Sequence, residues 1–406
     1  FFKRAEKKSF KKIAFEASKN FFASDIPEGT LKNITNEAFN FDVPLVKLDK
    51  QLYVLELFHR PTCAFKDFTA RFMARVFGFF AKKSKKEITI LVATSGDTGS
   101  AVAHGFLNVK GIKVIILYPS GKVSPLQEKQ LTGMGSNIIA LEVKGTFDDC
   151  QKLVKQAFLD KKLREKLTLA SANSINIVRL LPQSFYYLYL CAQLNKNKNS
   201  LVISVPSGNF GNLTAGIIAK KMGAPISKFI ASTNINNIVP NYLQTGNFKP
   251  KPSVSTISNA MDVGNPSNFS RMLELYNNDL EKMRNDIFGA SFSDTQTKKA
   301  ISEIFKKYDY IADPHGAIGY LGLIEFMKKS PKSLGVFLET AHPAKFSEEV
   351  KKVIGKKIPV PRRLKTYLNK KKRAILLKND FAELKNLLLN KFLKNATRKG
   401  KLTKRA

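Results

Sequence analysis

Lys66 differs from the other lysines of the chain in its immediate neighbours. Residues 56–72 read ELFHRPTCAFKDFTARF, so Lys66 follows a Pro-Thr turn and lies between Phe65 and Phe68. Apolar surroundings lower the pKa of a lysine, and a neutral amine can form a Schiff base with a carbonyl compound. A single lysine is more often a surface residue, so this interpretation depends on which other groups the fold brings near it.

A glycine-containing loop indicates a binding site for one phosphate. Residues 205–216 read VPSGNFGNLTAG, in which we expect Gly208 and Gly211 to let the backbone turn tightly and expose successive N–H groups. The helix predicted from Leu213 adds free donors and a favourable dipole. No GK[ST] follows and no GxGxxG is present, so this is neither of the common nucleotide loops. A simple Gly-Asn turn is the alternative.

Two further loops are rich in small hydrogen-bond donors. Residues 93–101 read ATSGDTGSA, and residues 171–179 read SANSINIVR, with Asn173, Asn176 and Arg179 spaced to meet an anion. Together with Lys66, these loops indicate a phosphorylated cofactor and a phosphorylated substrate. Pyridoxal phosphate needs this combination: a lysine, a phosphate cradle and a partner for its pyridine nitrogen.

The elements that must position these loops follow a repeated strand, loop and helix pattern. The predicted strands are EITILVA (87–93), LTLA (167–170), SLVISVP (200–206) and YIAD (310–313). Near-continuous apolar strands alternating with helices predict an α/β fold of mostly parallel twisted sheets with helices on both faces. Ligands bind beyond the carboxyl ends of such strands, so the loops are predicted to form one site.

Seven blocks of the sequence resemble those of threonine synthases, in the same order. They include ELFHRPTCAFKDF, ATSGDTGSA, SANSINIVRLLPQ, VPSGNFGNLTAG, TISNAMDVGNPSNF and TAHPAKF, within about residues 20–355. The resemblance implies a pyridoxal 5'-phosphate enzyme of fold type II, the tryptophan synthase β-subunit type, with a large and a small domain. It is to the branch with a longer N-terminal domain, and we expect the N-terminus to be truncated here, since the chain begins at Phe1.

The resemblance also implies roles for individual residues. Lys66 resembles the Schiff-base lysine, Asp97 the residue beside the ring's 3-hydroxyl, and Thr340 the partner of the pyridine nitrogen. The residues that resemble the cofactor-phosphate loop are Gly208, Asn209, Phe210, Gly211 and Asn212. Asn173 and Arg179 resemble groups that hold the substrate phosphate, and Thr94 and Ser95 those that meet its carboxylate.

One residue departs from the family pattern. The motif usually reads His-Gly-Pro-Thr, and Arg60 replaces its glycine. If that position needs a positive φ, an arginine there costs about 1 kcal/mol or more. It also adds a cation near the expected pocket, and the sequence leaves its effect open. We expect Asp67 and Asp262 to be structural, and His59, His315 and His342 to make orienting hydrogen bonds.

The implied activity is that of a lyase, which converts O-phospho-L-homoserine and water to L-threonine and phosphate by β,γ-elimination and replacement. One alternative is another fold type II lyase, such as a serine/threonine dehydratase. The other is a decayed enzyme that binds nucleic acid. The predicted domains are an N-terminal remnant (1–55), a large domain (56–90 and 168–355), a small domain (91–167) and a basic C-terminal helix and tail (356–406). We expect the Leu-rich helix of this last segment, FAELKNLLLNKFL, to be peripheral and the tail from Asn395 to be disordered.

The composition restricts the class of protein without identifying it. Basic side chains number 68 and acidic ones 32, a net charge of +36, but the excess is lysine and is spread along the chain, as codon bias would produce. We therefore expect no nucleic-acid partner. No apolar run is long enough for a membrane span, and the three cysteines and four histidines show no metal-binding spacing. A cytoplasmic monomer or homodimer without a metal is expected.

Overall fold

The computed structural model describes residues 2–5, 8–174, 176–194 and 199–392. The chain forms two compact units. Unit 1 comprises Phe1–Phe72 and Ser174–Lys365, and unit 2 comprises Met73–Asn173 and Thr366–Ala406.

The strands of the described residues are β1 (Leu45–Asp49), β2 (Leu52–Glu56), β3 (Ile88–Ala93), β4 (Ile112–Pro119), β5 (Ile138–Val143), β6 (Thr168–Ser171), β7 (Leu201–Pro206), β8 (Lys228–Thr233), β9 (Ile287–Ser291), β10 (Leu334–Glu339) and β11 (Ile375–Leu377).

The helices are α1 (Phe2–Ala5), α2 (Phe10–Phe22), α3 (Glu28–Ala38), α4 (Lys66–Ser84), α5 (Asp97–Phe106), α6 (Pro125–Thr132), α7 (Phe147–Leu159), α8 (Lys161–Lys166), α9 (Leu181–Gln193), α10 (Gly211–Lys221), α11 (Ile238–Thr245), α12 (Phe269–Leu275), α13 (Leu280–Asp286), α14 (Asp294–Tyr308), α15 (Pro314–Lys329), α16 (Ser347–Ile354), α17 (Arg362–Leu368) and α18 (Phe381–Leu387). Short 3₁₀ turns occur at Ile177–Arg179, Asn259–Met261 and Pro343–Phe346, and a π turn at Leu388–Phe392.

Unit 1 contains a six-stranded sheet in the order β1-β2-β10-β7-β8-β9. Only the edge pair β1–β2 is antiparallel, and the other pairs are parallel. Every residue of β7 and β10 is buried, which explains why both strands are nearly continuous apolar runs in the sequence. Helix α15 packs on β10, β7 and β8. The mostly parallel α/β fold predicted from the sequence is confirmed.

Unit 2 contains a five-stranded sheet in the order β11-β5-β4-β3-β6, with every pair parallel. The basic C-terminal segment contributes β11, and Leu384 and Leu388 that follow it are buried in the same core as Leu91 and Leu117. The Leu-rich C-terminal helix was expected to be peripheral, and it is instead part of this core. The tail predicted to be disordered, from Asn395, lies outside the described residues.

The predicted domain boundaries need correction around the second sheet. Strand β3 spans the predicted boundary at residue 90, and β6 was assigned to the large domain. Both belong to unit 2, because they pair with each other along Ile88–Leu91 and Thr168–Ser171. The segment 356–406 is also not separate, since its later part joins unit 2 through β11. Residues 1–55 cluster with unit 1.

The predicted strand YIAD at residues 310–313 is not a strand. Its backbone is used to start a helix: the Asp313 carboxylate accepts a hydrogen bond from the Gly316 N–H at 2.7 Å, and Pro314 occupies the first turn of α15. An Asp cap followed by Pro is a strong helix start. This signal outweighs the apolar pair Ile311 and Ala312.

Among the described residues, no helix is both long enough and apolar enough to cross a membrane.

Candidate active site

Lys66 and Thr340 are brought together by a short antiparallel contact in unit 1. The Phe65 N–H donates to the Thr340 carbonyl at 2.9 Å, and an isolated bridge pairs Ala64 with Ala341. The His342 N–H extends this contact by donating to the Cys63 carbonyl at 3.1 Å. Lys66 is thereby held at the start of α4 beside the residue that follows β10, although the two are far apart in sequence.

The turn that precedes Lys66 is held by hydrogen bonds to both backbone groups of one residue, Thr62. The Thr62 N–H donates to the Asp67 carboxylate at 2.9 Å, and the Thr62 carbonyl accepts from the Lys345 ammonium at 3.2 Å. The next residue, Cys63, has a left-handed backbone with φ of 54°. A non-glycine residue in this region is strained, so its surroundings must hold it there. The Lys66 amine lies 4.1 Å from the centroid of the Phe65 ring.

Asp67 is completely buried in the first turn of α4. Burial raises the pKa of its carboxyl group from 3.8 to about 6, while the hydrogen bond from Thr62 and the charges of Arg60 and Lys345 act in the opposite direction. The expectation that Asp67 is structural agrees with this environment, because its carboxylate holds the turn.

Arg60 does not carry the backbone strain that its replacement of glycine suggested. Its φ is not positive, and the left-handed residue of this turn is Cys63. The Arg60 side chain is fully buried against the rings of Phe41 and Phe68. Burial lowers the pKa of its guanidinium well below 12.5, and the charge of Asp67 opposes this shift.

The predicted phosphate loop lies between β7 and α10. Phe210, with φ of 58°, makes the left-handed turn that we expected the glycines to make. Gly208 is required for a different reason: a Cβ there would lie 2.7 Å from the Met261 Cα. Within the described part of the chain, the N–H groups of residues 208–213 donate to no protein acceptor, and they form the N-terminus of α10. This backbone fits a phosphate.

The asparagine side chains of this loop, and of the neighbouring segment, make hydrogen bonds that stabilise the loop backbone. The Asn212 amide donates to the Pro206 carbonyl at 2.8 Å, and the Asn209 side-chain oxygen accepts from the Ser267 N–H at 2.6 Å. The Asn268 amide donates to the Asn209 carbonyl and to the Ser174 hydroxyl, both at 2.8 Å. The groups of this loop that could bind a phosphate are therefore main-chain N–H groups.

Ser267 and Asn268 were not predicted as site residues. They belong to the block TISNAMDVGNPSNF, which carried the family resemblance without an assigned role. Asp262 of the same block accepts hydrogen bonds from Asn234 and Thr256, at 2.9 and 2.7 Å, and organises the loop around it. Burial raises the pKa of Asp262 to about 6.

Arg179 lies in the 3₁₀ turn Ile177–Arg179 of unit 1, next to the phosphate loop. Leu180 and Ser174, on either side of this turn, are within 4 Å of a Cβ built on Gly211. Arg179 is 3% exposed, and its Nε and Nη1 atoms have no hydrogen-bond partner among the described residues. Burial lowers the pKa of the guanidinium to about 10. Buried donors of this kind require an acceptor, which a bound anion would supply.

Four predicted site residues lie in unit 2, at the carboxyl ends of β3 and β6. The Thr94 hydroxyl accepts from the N–H groups of Gly96 and Gly99, at 3.0 and 2.8 Å, and so supports the start of α5. The Asn173 amide pairs with both backbone groups of Ala93, at 3.1 and 2.8 Å.

The other two residues of this group differ in exposure. Ser95 is half-buried, whereas Asp97 is buried and accepts from the Gln127 amide at 2.8 Å. The side chains of Thr94 and Asn173, by contrast, make the hydrogen bonds to the backbone described above, in addition to any ligand contact.

The histidines predicted to orient other groups do so. The Nε2 atom of His315 accepts from the Ala260 N–H at 3.3 Å, and its Nδ1 lies 3.2 Å from the Asp313 carboxylate. The Nδ1 atom of His342 accepts from the Ala344 N–H, and burial lowers the pKa of this ring to about 4. His59 lies 2.6 Å from the Glu56 carboxylate.

Two protein families together match residues 39–388 of the chain. A family described as pyridoxal-phosphate dependent enzyme matches residues 39–336, and one described as threonine synthase, C-terminal, matches residues 316–388. The threonine synthase of Haemophilus influenzae is 48% identical over 366 residues, which are 90% of this chain and 85% of that protein.

Solved structures give the same result. The threonine synthase from Escherichia coli matches with a TM-score of 0.90 and 43% identity, over 96% of this chain and 90% of that chain. The pyridoxal-phosphate-bound threonine synthase from Brucella melitensis matches with a TM-score of 0.88 and 33% identity, over 95% and 89% respectively.

Proposed function

Because this chain belongs to the threonine synthase family of pyridoxal-phosphate-dependent lyases, we propose that it converts O-phospho-L-homoserine and water to L-threonine and phosphate. The observation that carries this proposal is the order of strands in unit 1. The Lys66 loop, Thr340 and the phosphate loop follow β2, β10 and β7, which are neighbouring parallel strands. Their carboxyl ends share one edge of the sheet, where ligands of such sheets bind.

The residues of this edge fit the cofactor, pyridoxal 5'-phosphate. Its ring, when bound, withdraws electrons from the substrate α-carbon. The N–H groups of residues 208–213 would hold its phosphate, because they donate to no acceptor in the part of the chain that the structure describes, and Gly208 leaves room for a close approach. Lys66 would hold its aldehyde carbon, and the Thr340 hydroxyl its pyridine nitrogen.

Lys66 is the base that we assign to the proton transfers at the substrate α-carbon. With substrate and cofactor bound, the Lys66 amine would be placed to take a proton from that carbon and to return it. A hydroxyl at the pyridine nitrogen, instead of a carboxylate, leaves that nitrogen less protonated. We infer that Thr340 thereby moderates electron withdrawal and disfavours transamination.

Arg179 supports a phosphorylated substrate over the unphosphorylated ones of serine and threonine dehydratases. A buried guanidinium with two donors that have no acceptor among the described residues is suited to bind a phosphate group by charge and by hydrogen bonds. The roles predicted for Thr94, Ser95, Asp97 and Asn173 stay predictions.

A substrate assay tests the proposed reaction. The cofactor-loaded protein should release equal amounts of threonine and phosphate from O-phospho-L-homoserine. Release of pyruvate or 2-oxobutanoate from free serine or threonine, with no turnover of the phosphorylated substrate, would contradict the proposal and favour a dehydratase.

Borohydride reduction tests the assignment of Lys66 independently of the substrate. Reduction of the cofactor-loaded protein followed by peptide mapping should place the pyridoxyl group on Lys66. Lys345, which is also buried near this turn, is the internal control. A label on Lys345 or elsewhere would refute the assignment.

The cysteines and the charge distribution bear on the compartment and the partners. We propose the cytoplasm, since the three cysteines are buried and are suited to a reducing environment. We propose a small-molecule enzyme, as monomer or homodimer, with no nucleic-acid partner, because the lysine excess is spread along the chain. Sedimentation analysis and a salt-dependent RNA-binding assay test these two statements.

A further inference from the structure

Arg60 is the residue of the Lys66 turn that the family resemblance does not explain. Its side chain is 0% exposed, and its guanidinium carbon lies 2.8 Å from the centroid of Phe41 and 4.1 Å from that of Phe68. None of its three guanidinium nitrogens has a hydrogen-bond partner among the described residues. A buried cation without hydrogen bonds costs stability, and two aromatic faces offset only part of that cost.

The nearby anion that compensates this charge is Asp67. Of the charges that act on Arg60, Asp67 has the strongest effect, followed by Arg71, Arg363 and Asp42. The charges that act on Asp67 are Arg60 and Lys345, and both favour the carboxylate. Asp67 is wholly buried, and its Oδ1 atom has no hydrogen-bond partner among the described residues. Without these cations, burial would favour the protonated acid.

The ionisation of Asp67 matters because its other oxygen holds the turn before Lys66. Oδ2 accepts the Thr62 N–H at 2.9 Å, and Thr62 is followed by the strained Cys63. Hydrogen bonds to a charged acceptor are about twice as strong as those between neutral groups. A protonated Asp67 would therefore hold the Thr62 peptide more weakly, and the strain at Cys63 would favour rearrangement of the turn.

We propose that Arg60 is a positioning residue for Lys66: it keeps Asp67 charged, and charged Asp67 fixes the Thr62 peptide and with it the start of α4. The inference deepens the proposed function, since it rests on Lys66 as the residue that holds the cofactor. Lys345 also favours the charged form of Asp67, and its ammonium donates a hydrogen bond to the Thr62 carbonyl. Arg60 therefore extends cofactor binding toward acid pH and is not required for it at neutral pH.

The test is the pH dependence of cofactor binding in a set of variants. The dissociation constant of pyridoxal 5'-phosphate is measured between pH 5 and 8.5 for the wild type, Arg60→Met, Arg60→Lys, Asp67→Asn and the double variant R60M/D67N. The wild type should lose affinity as pH falls through about 6, where the pKa of Asp67 lies. Arg60→Met should shift this loss upward by half a pH unit or more, and Arg60→Lys should restore the wild-type position.

The asparagine variants separate this effect from other titrations near the site, including those of His342 and of the cofactor itself. Asp67→Asn should lack the step near pH 6, and R60M/D67N should behave like Asp67→Asn alone. Identical pH profiles for the wild type and Arg60→Met would overturn the proposal. A shift in Arg60→Met that persists in the Asp67→Asn background would also overturn it.

A second readout uses the protein without its cofactor. The pKa of Asp67 is higher in the folded than in the unfolded protein, so stability is greatest below the unfolded pKa and falls as pH rises toward the folded pKa. In Arg60→Met this fall should continue to higher pH, which thermal unfolding between pH 5 and 8 detects. These measurements use no substrate. A protein that binds the cofactor at Lys66 but makes no threonine would therefore refute the proposed reaction and leave this inference intact.

Discussion

Replacing Gly208 with alanine tests the proposal that a main-chain cradle holds the cofactor phosphate. A Cβ at residue 208 would lie 2.7 Å from the Met261 Cα and 2.8 Å from the Ala260 carbonyl oxygen. Both are backbone atoms, so the loop itself must shift. Overpacking of this kind costs about 1–3 kcal/mol. If the whole cost falls on the cradle, the cofactor should bind about 5- to 150-fold more weakly, since 1.4 kcal/mol is tenfold.

The chain offers a matched control three residues away. A Cβ at Gly211 would meet nothing closer than 3.5 Å, and Gly211 is the first residue of α10. Gly211→Ala should therefore leave cofactor affinity within about twofold and raise stability slightly, because alanine favours a helix. Titration of each apoprotein with pyridoxal 5'-phosphate, followed by absorbance, gives the two affinities. Equal losses for both variants would show that close packing against residues 260–261 does not shape the cradle.

Three further tests, which use four variants, concern other parts of unit 1. Arg179→Met should raise the stability of the cofactor-free protein by about 1–4 kcal/mol, because it removes a buried guanidinium. It should also raise KM for the phosphorylated substrate about 100-fold or more. An unchanged KM would refute the phosphate role. Asn268→Ala removes two hydrogen bonds that stabilise the phosphate loop, each worth about 0.5–1.5 kcal/mol. Cofactor affinity should therefore fall about tenfold. Unchanged affinity would contradict this role of Asn268. Gly316→Ala places a Cβ 1.5 Å from the buried carboxyl group of Glu339 and should lower the unfolding free energy by about 1–3 kcal/mol. Its control, Gly319→Ala in the same helix, places a Cβ no closer than 3.4 Å to its neighbours and should raise the unfolding free energy by about 0.5–1 kcal/mol. Equal changes in thermal unfolding would contradict the packing argument.

Much of the fold and several of the candidate site residues could be predicted because their signals are local. Strands β3 and β7 are nearly continuous apolar runs followed by small polar residues, which is how buried parallel strands appear in a sequence. The loop at residues 207–210 directly follows β7, and Lys66 begins the helix that comes after β2. Strand β11 could not be predicted, because three residues carry too little pattern, and it exists only because β5 offers a free edge.

The local pattern predicts the wrong structure where a contact with a distant residue outweighs it. Residues 310–313 are apolar enough to suggest a strand, but Asp313 starts α15 and its N–H donates to the Glu339 carboxylate at 2.6 Å. The left-handed residue of the phosphate loop is Phe210, not a glycine, because the surrounding loop and helix hold it in that conformation.

By itself, the sequence determined most of the segments that form strands and helices, and which lysine and loops follow them, because burial and capping act over a few residues. Only the tertiary structure decided the relations between distant segments. It pairs Phe65 with Thr340, places Asn268 behind the phosphate loop and buries Arg60 beside Asp67. These contacts depend on strand order and on close packing of side chains that are remote in sequence, and no local pattern encodes them.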